Sequence, residues 1–114
     1  MASVLIIEDN ADLRQLYRIA LRGHDIQAVF ATNGEEALTH LKTSAETPRF
    51  IVLDMMMPVM DGWEFLDHRK QCPVLSTIPV VVCSATADRI PPGIEILRKP
   101  VVISKFLEIV DRYK

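Results

Sequence analysis

The stretch that decides the fold is FIVLDMMMPVMDGWEF, residues 50–65. It begins with four apolar residues in succession, which is typical of a strand buried on both faces of a sheet. The run ends at one carboxylate, Asp54, from which a core strand gains nothing. Three methionines then fill the adjoining loop without adding a competing charge, and Pro58 favours a turn. Asp54 is therefore a candidate for chemistry at the end of a buried strand.

The totals indicate one globular domain over residues 1–114. Hydrophobic residues make up 49% and charged residues 25%, which is the balance of a soluble protein. The formal net charge of -2 provides no basic field, so we expect no direct nucleic acid binding. We also expect no membrane association, because no apolar run approaches roughly 20 residues and no signal peptide begins the chain. The two cysteines fit neither a metal site nor a disulfide framework, so a cytoplasmic location is the simplest setting.

Short apolar runs alternate with amphipathic segments along the chain. The predicted strands cover residues 4–7, 26–31, 50–53, 78–83 and 94–97. Helices are predicted between them and after the last strand, and two of these helices begin at the N-cap residues Asn33 and Asp61. The alternation predicts an α/β fold with a doubly wound, five-stranded parallel sheet in the flavodoxin-like order 2-1-3-4-5.

The connection between the fourth and fifth strands is unusually short. Only ATADRIPPG, residues 85–93, is available, and Pro91-Pro92 bars a regular helix at its end. Such a segment still reaches about 30 Å when extended, which is enough to return along a strand of roughly 17 Å. We therefore expect the fifth strand to stay parallel and the fourth helix to be shortened or absent.

Polar side chains follow four of the five predicted strands. Glu8 and Asp9 follow the first strand, Asp54 the third, Ser84 the fourth and Lys99 the fifth. The carboxyl ends of parallel strands meet at one edge of a sheet, so these side chains are expected in one crevice. Three carboxylates there would repel one another, and Mg²⁺ relieves that repulsion while sharing its ligand shell with a phosphate. An aspartate in such a site is a plausible nucleophile toward phosphorus.

These residues and their neighbours form a pattern that resembles the response-regulator receiver domain, the CheY-like module of bacterial two-component signalling. The resemblance covers essentially the whole chain, in order. The matching residues are Glu8-Asp9, Asp54, Met57-Pro58, Asp61-Gly62, Ser84-Ala85 and Lys99-Pro100.

The resemblance implies a role for each site residue. Asp54 would be the phosphoacceptor, and the Mg²⁺ ligands would be Glu8, Asp9, Asp54 and the backbone carbonyl of Met56. The Ser84 hydroxyl and the Lys99 ammonium would contact the phosphoryl group, with a cis bond between Lys99 and Pro100.

The resemblance also implies the partners. A histidine kinase or phosphotransfer protein would donate the phosphoryl group, and a downstream protein partner or output domain would respond to it. Such a chain is not an enzyme with a separate substrate, although it assists its own phosphorylation and dephosphorylation. Both a stand-alone regulator and one domain of a longer protein fit this pattern.

Two features depart from the family pattern. Ile96 occupies the position three residues before Lys99, where an aromatic residue is usual, and the fourth helix is clipped. A missing helix is expected to expose apolar surface near strands four and five, which a protein partner or a homodimer would cover. These departures favour the alternative of a receiver-like interaction module that does not depend on phosphorylation. A flavodoxin-like flavin carrier is a third reading, but the acidic loop EDNAD, residues 8–12, would repel a flavin phosphate.

Overall fold

Five strands form one parallel sheet in the computed structural model, which describes residues 2–114 and leaves Met1 outside the described residues. The strands are β1 (Ser3–Ile7), β2 (Gln27–Ala31), β3 (Phe50–Asp54), β4 (Val80–Ser84) and β5 (Glu95–Arg98). The helices are α1 (Ala11–Ala20), α2 (Gly34–Thr43), α3 (Gly62–Gln71) and α4 (Ile103–Tyr113), with a short 3₁₀ turn at Leu75–Thr77. The sheet order is β2-β1-β3-β4-β5, which confirms the predicted α/β architecture.

The pairing register brings the ends of the central strands into line. Ile7 of β1 pairs with Leu53 of β3, and Asp54 at the end of β3 pairs with Cys83 of β4. Every residue of β1, β3 and β4 is buried, because helices cover both faces of the sheet. The three strands therefore end at the same edge, with Asp54 in the middle.

Alternate residues along β1 enter different halves of the core. Leu5 and Ile7 belong to the cluster under α2 and α3, whereas Val4 and Ile6 belong to the cluster under α1 and α4. This two-sided burial explains why the strands are continuous apolar runs rather than alternating ones. One core cluster packs against each face of β3, so the two clusters together fix the position of Asp54.

The two predicted helix N-caps are confirmed. The side-chain oxygen of Asn33 accepts from the Glu36 N–H at 2.9 Å, and that of Asp61 accepts from the Glu64 N–H at 2.9 Å. The Glu36 carboxylate accepts from the backbone N–H of Thr32 at 3.2 Å, one residue before the cap. These caps set where α2 and α3 begin, and α3 begins immediately after the loop that follows Asp54.

The connection between β4 and β5 contains no helix among its residues, 85–94, so the fourth helix of the pattern is absent. β5 nevertheless pairs parallel to β4, as expected from the reach of the segment. The expectation that the connection leaves an exposed apolar patch near strands four and five is wrong. Ile90 and Ile94 of the connection, and Ile96 of β5, pack against the core cluster under α2 and α3. Within residues 2–114, the exposed large apolar side chains are Leu16, Ile19, Met56, Val59, Val74 and Val102. Of these, Val102 lines a groove beside β5.

Two local predictions from apolar spacing also differ from the structure. β4 begins at Val80 instead of Ile78, because the 3₁₀ turn before it ends at Thr77 and Ile78 is its C-cap. The helical spacing of Leu13, Leu16, Tyr17, Ala20 and Leu21 predicts that all five face the core, but Leu16 is 41% exposed beside the cleft described below. Among residues 2–114, no helix combines the length and the apolar character needed to cross a membrane.

Candidate functional site

Asp54 is the centre of a polar cluster at the carboxyl edge of the sheet. Its side chain is only 4% exposed, and the Lys99 Nζ donates to its Oδ1 at 2.7 Å. The backbone N–H of Met56 donates to the same oxygen at 3.2 Å. Lys99 is held in place because its own N–H donates to the Ser84 carbonyl at 3.0 Å. The bond between Lys99 and Pro100 is cis, as the resemblance implies.

Three carboxylates meet beside this ion pair. Glu8, Asp9 and Asp54 each offer an oxygen, and these oxygens lie within 4.8 Å of one another. Glu8 is buried, whereas Asp9 is exposed. The predicted convergence of acids from the ends of β1 and β3 is therefore observed, and Lys99 supplies the only ammonium that contacts it among the described residues.

The turn after β1 holds Glu8 through two further residues. The backbone N–H of Asn10 donates to its carboxylate at 3.1 Å, and Arg14 Nη1 donates to its carbonyl oxygen at 2.8 Å. Asn10 also caps α1, because its side chain accepts from the Leu13 N–H at 3.0 Å. The roles of Asn10 and Arg14 were not predicted from the sequence. Asn10 could have been found as a favoured N-cap residue before an apolar-periodic helix, but no sequence signal identifies the contact of Arg14.

The charges at this edge are poorly balanced. Burial raises the pKa of Glu8 to about 7; the Asn10 hydrogen bond opposes this shift, and the charge of Asp54 adds to it. Burial alone would lower the pKa of the Lys99 ammonium, but its hydrogen bond and attraction to Asp54 raise that pKa on balance. The cluster therefore favours uptake of positive charge, either as a proton on Glu8 or as a bound cation.

An open cleft of about 610 Å³ gives access to the cluster. Its polar wall includes Glu8, Asp9, Asp54 and Lys99. Apolar wall residues come from α1 and from the loops after β3 and β5, namely Leu13, Leu16, Met56 and Val101. The Met56 side chain is 71% exposed, so it borders the cleft and does not fill the loop as expected. A donor group can thus reach Asp54 from solvent.

Ser84 is at the expected edge but faces a different neighbour. It is 8% exposed, and among the described residues it does not belong to the cleft wall. Its Oγ accepts from the Thr86 N–H at 3.3 Å, at the start of the β4–β5 connection. The structure therefore brings Glu8, Asp9, Asp54 and Lys99 together and leaves the Ser84 hydroxyl turned toward that connection.

The donor set of this cluster suits Mg²⁺. All three side chains offer carboxylate oxygens, the hard ligands that Mg²⁺ prefers, and the open cleft leaves room for the waters that it retains. The pKa of Glu8 is raised chiefly by burial and further by the charge of Asp54, and a bound cation would offset both effects. The residues present therefore fit this metal.

The fold is a doubly wound parallel sheet, and three carboxylates and one lysine meet at its carboxyl edge. The family model for the response regulator receiver domain matches residues 4–109. The chain therefore belongs to the response regulator receiver domain family.

Three relatives show how far the similarity extends. A 14.6 kDa protein in the sodA1 3′ region of Leptolyngbya boryana is 32% identical, over 96% of this chain and 88% of that protein. The probable transcriptional regulator ycf27 of Porphyridium aerugineum is 35% identical, over 75% of this chain and 33% of that protein. The solved receiver domain of a signal transduction histidine kinase from Syntrophus aciditrophicus is 27% identical, with a TM-score of 0.87, over 99% of this chain and 89% of that chain.

The family places the chain in two-component signalling. Receiver domains are signalling domains that partner with histidine kinases or phosphotransfer proteins and bind Mg²⁺ at an acidic cluster. This chain spans only about a third of the length of the ycf27 relative.

Proposed function

We propose that this chain accepts a phosphoryl group on Asp54 from a phosphohistidine of a histidine kinase or phosphotransfer protein. The phosphorylated form would then bind a downstream protein partner or act on an output domain. The observation that supports the proposal most directly is the 2.7 Å contact of Lys99 Nζ with Asp54 Oδ1, at the edge where the carboxylates of Glu8 and Asp9 also lie.

The chemistry needs one bond to form and one to break. A carboxylate oxygen of Asp54 attacks phosphorus, the new O–P bond forms, and the P–N bond of the donor phosphohistidine breaks with its electron pair returning to the imidazole nitrogen. Lys99 neutralises negative charge on a phosphoryl oxygen, because its ammonium already lies at the attacking carboxylate.

Four groups would hold the Mg²⁺: the carboxylates of Glu8, Asp9 and Asp54 and the backbone carbonyl of Met56. When bound, the ion supplies charge neutralisation between these acids and the incoming phosphoryl oxygens. Asn10 and Arg14 contribute indirectly, because they hold Glu8 in the turn after β1. The Ser84 hydroxyl would contact the phosphoryl group after rotating away from Thr86.

Intact-mass measurement after incubation with acetyl phosphate and Mg²⁺ tests the proposal. We expect one added phosphoryl group, lost in Asp54→Asn and strongly reduced when EDTA removes Mg²⁺. The matched control is Asp88→Asn, an exposed aspartate in the β4–β5 connection, which should load like the unaltered protein. Loading that persists in Asp54→Asn, or no loading of the unaltered protein, would contradict the assignment.

A receiver-like interaction module that works without phosphorylation is the second candidate. Two observations favour it: Ile96 replaces the usual aromatic residue, and the connection of residues 85–94 forms no helix. Pull-down of a partner from native extract separates the two candidates. Binding that is equal for the unaltered protein and Asp54→Asn, with and without acetyl phosphate, would favour the second candidate.

A further inference from the structure

β2 is the less protected of the two edges of the sheet. β5, at the other edge, carries a charge at each end in Glu95 and Arg98, and Arg112 of α4 contacts Glu95. β2 has the sequence QAVFA, which contains neither a charge nor a proline. Charges and prolines are common features that prevent an edge strand from pairing with another chain. β2 is therefore an edge that another strand can join.

The ladder between β1 and β2 shows which backbone groups of β2 are already paired. The Gln27 N–H donates to the Ala2 carbonyl at 2.9 Å, and the Ala31 carbonyl accepts from the Glu8 N–H at 2.9 Å. Gln27 and Ala31 thus face β1. Because successive residues of a strand direct their backbone groups to opposite sides, Val29 between them also faces β1.

Ala28 and Phe30 consequently direct two N–H and two C=O groups away from the sheet. A second copy of β2 can pair with these groups in antiparallel orientation, with a two-fold axis at Val29. Ala28 of each copy then lies opposite Phe30 of the other, and each such pair exchanges two hydrogen bonds. This register uses all the outward-facing groups of both strands, so β2 is self-complementary in its hydrogen bonding.

The side chains of β2 fit the same register. Val29 of one copy faces Val29 of the other, and each is half-buried against the core cluster under α2 and α3. On the opposite face of the sheet, the large Phe30 lies beside the small Ala28 of the second copy. Ala28 leaves room for the Arg18 guanidinium, which lies 4.8 Å from the centre of the Phe30 ring. Since the strand has no charged residue, no like charges oppose each other across the pairing.

The charged residues beyond the two ends of β2 are also complementary. The basic residues Arg22 and His24 precede the strand together with one acid, Asp25, whereas Glu35 and Glu36 follow it at the start of α2. Antiparallel pairing places the beginning of each strand beside the end of the other. The basic residues of each copy therefore lie toward the acids of its partner, which favours a second copy of this chain as the occupant of the edge.

We propose that β2 is a self-association edge, through which two copies of this chain join their sheets into one continuous sheet about a two-fold axis at Val29. Each copy contributes a single strand of five residues, so the dimer is weak and forms only at high concentration. Asp54 lies on β3, separated from this edge by β1, so pairing leaves the acidic cleft accessible in both copies. The inference does not depend on phosphorylation of Asp54.

Sedimentation velocity of the unaltered protein from about 10 µM to about 1 mM tests for the dimer, and we expect the average mass to rise toward that of two chains. Two variants test its axis. Val29→Lys and Val29→Glu each set like charges directly opposite one another, so each should weaken dimerisation at least about tenfold. An equimolar mixture of the two variants should restore it, because lysine then faces glutamate. Val74→Lys, at an exposed valine remote from β2, is the matched control and should dimerise like the unaltered protein.

Cross-linking gives a second readout, which does not require a charge at Val29. In a Cys72→Ala background, Val29→Cys should give a disulfide-linked dimer on oxidation with copper phenanthroline, since opposed residues lie about 4.5–5.5 Å apart. Gln27→Cys, also on β2, should not, because four residues of offset separate the two positions by about 14 Å. Circular dichroism verifies that each variant is folded.

The outcomes decide the proposal without reference to the proposed function. An unaltered protein that stays monomeric at about 1 mM would overturn it. Dimers that persist undiminished in Val29→Lys and Val29→Glu, or cross-linking of Gln27→Cys as efficient as that of Val29→Cys, would place the contact on another surface and overturn it too. None of these measurements involves loading of Asp54, so their failure leaves the phosphoacceptor assignment unchanged.

Discussion

At the scale of single residues, the contact between Lys99 and Asp54 is expected to contribute to stability. Asp54 is nearly fully buried beside two other acids, and Lys99 is the ammonium that contacts it. We expect Lys99→Met, which keeps the length of the stem, to lower the free energy of unfolding without Mg²⁺ by about 1–3 kcal/mol. Urea denaturation in EDTA measures this loss. Lys105→Met, at an exposed position of α4, should change it by less than about 0.5 kcal/mol; an equal loss in both variants would refute the prediction.

The turn after β1 gives a second prediction at this scale. Arg14 donates to the Glu8 backbone carbonyl, so its removal should loosen Glu8 rather than delete a ligand. We expect Arg14→Ala to weaken Mg²⁺ binding by about tenfold, as is typical for residues that orient a metal ligand. Isothermal titration calorimetry measures the affinity, with Arg22→Ala as the control. An unchanged affinity in Arg14→Ala would show that Glu8 is held sufficiently by Asn10.

The sequence predicts some of these residues better than others. Asp54 and Lys99 could be placed together because strand ends alone determine their meeting. The registers of β3 against β4 and of β4 against β5 bring this about. The contact of Arg14 and the orientation of the Ser84 hydroxyl depend on side-chain rotamers. Apolar periodicity and strand order contain no information about rotamers, so the structure was needed for both.

At the scale of elements, the start of α3 depends on the absence of a side chain at Gly62. A Cβ there would lie 2.5 Å from the Met55 Sδ and 2.7 Å from its Cα. Because backbone cannot move aside as a side chain can, we expect Gly62→Ala to lower the free energy of unfolding by about 1–3 kcal/mol. Thermal and urea unfolding measure this loss.

Gly34, at the start of α2, is the matched control for Gly62. A Cβ at Gly34 would meet chiefly the flexible Met60 side chain, at 2.9 Å. The gain in helix propensity offsets this contact, so Gly34→Ala should stay within about 1 kcal/mol of the unaltered protein. A larger loss at Gly34 than at Gly62 would show that the Met55 contact does not control the loop after Asp54.

The elements themselves were largely predictable, and the exceptions have local causes. The short connection and the diproline of residues 91–92 predicted a fourth helix that is shortened or absent, and the connection contains none, because proline restrictions act through the backbone alone. The expectation of an exposed patch was wrong because it treated the connection as empty space. Ile90 and Ile94 pack onto the core instead, and tertiary packing of this kind is not visible in a nine-residue loop sequence.

At the scale of the whole molecule, the carboxylate cluster links stability to pH. The pKa of Glu8 is raised from 4.5 to about 7 by burial, with a further contribution from Asp54. Between these two values the folded protein binds more protons than the unfolded chain, so its stability falls as pH rises through this window. Mg²⁺ acts in the opposite direction, because it requires the deprotonated carboxylates and its affinity therefore rises with pH.

This opposition leads to a prediction for the intact protein. In EDTA, we expect the free energy of unfolding to decline between pH 5 and pH 7.5, with a contribution from Glu8 of at most about 1.4 kcal/mol per pH unit, the limit for one proton. Mg²⁺ at ten times the Kd that it has at pH 7.5 should raise the free energy of unfolding by about 1.4 kcal/mol at pH 7.5. The same concentration should raise it much less at pH 5, where the affinity is lower. Urea denaturation at each pH measures both effects. Glu8→Gln should flatten the decline and weaken the response to Mg²⁺, whereas Glu46→Gln, at an exposed loop position, should preserve both. A pH profile of Glu8→Gln that is identical to that of the unaltered protein would mean that another group takes up the proton, since a glutamine cannot titrate.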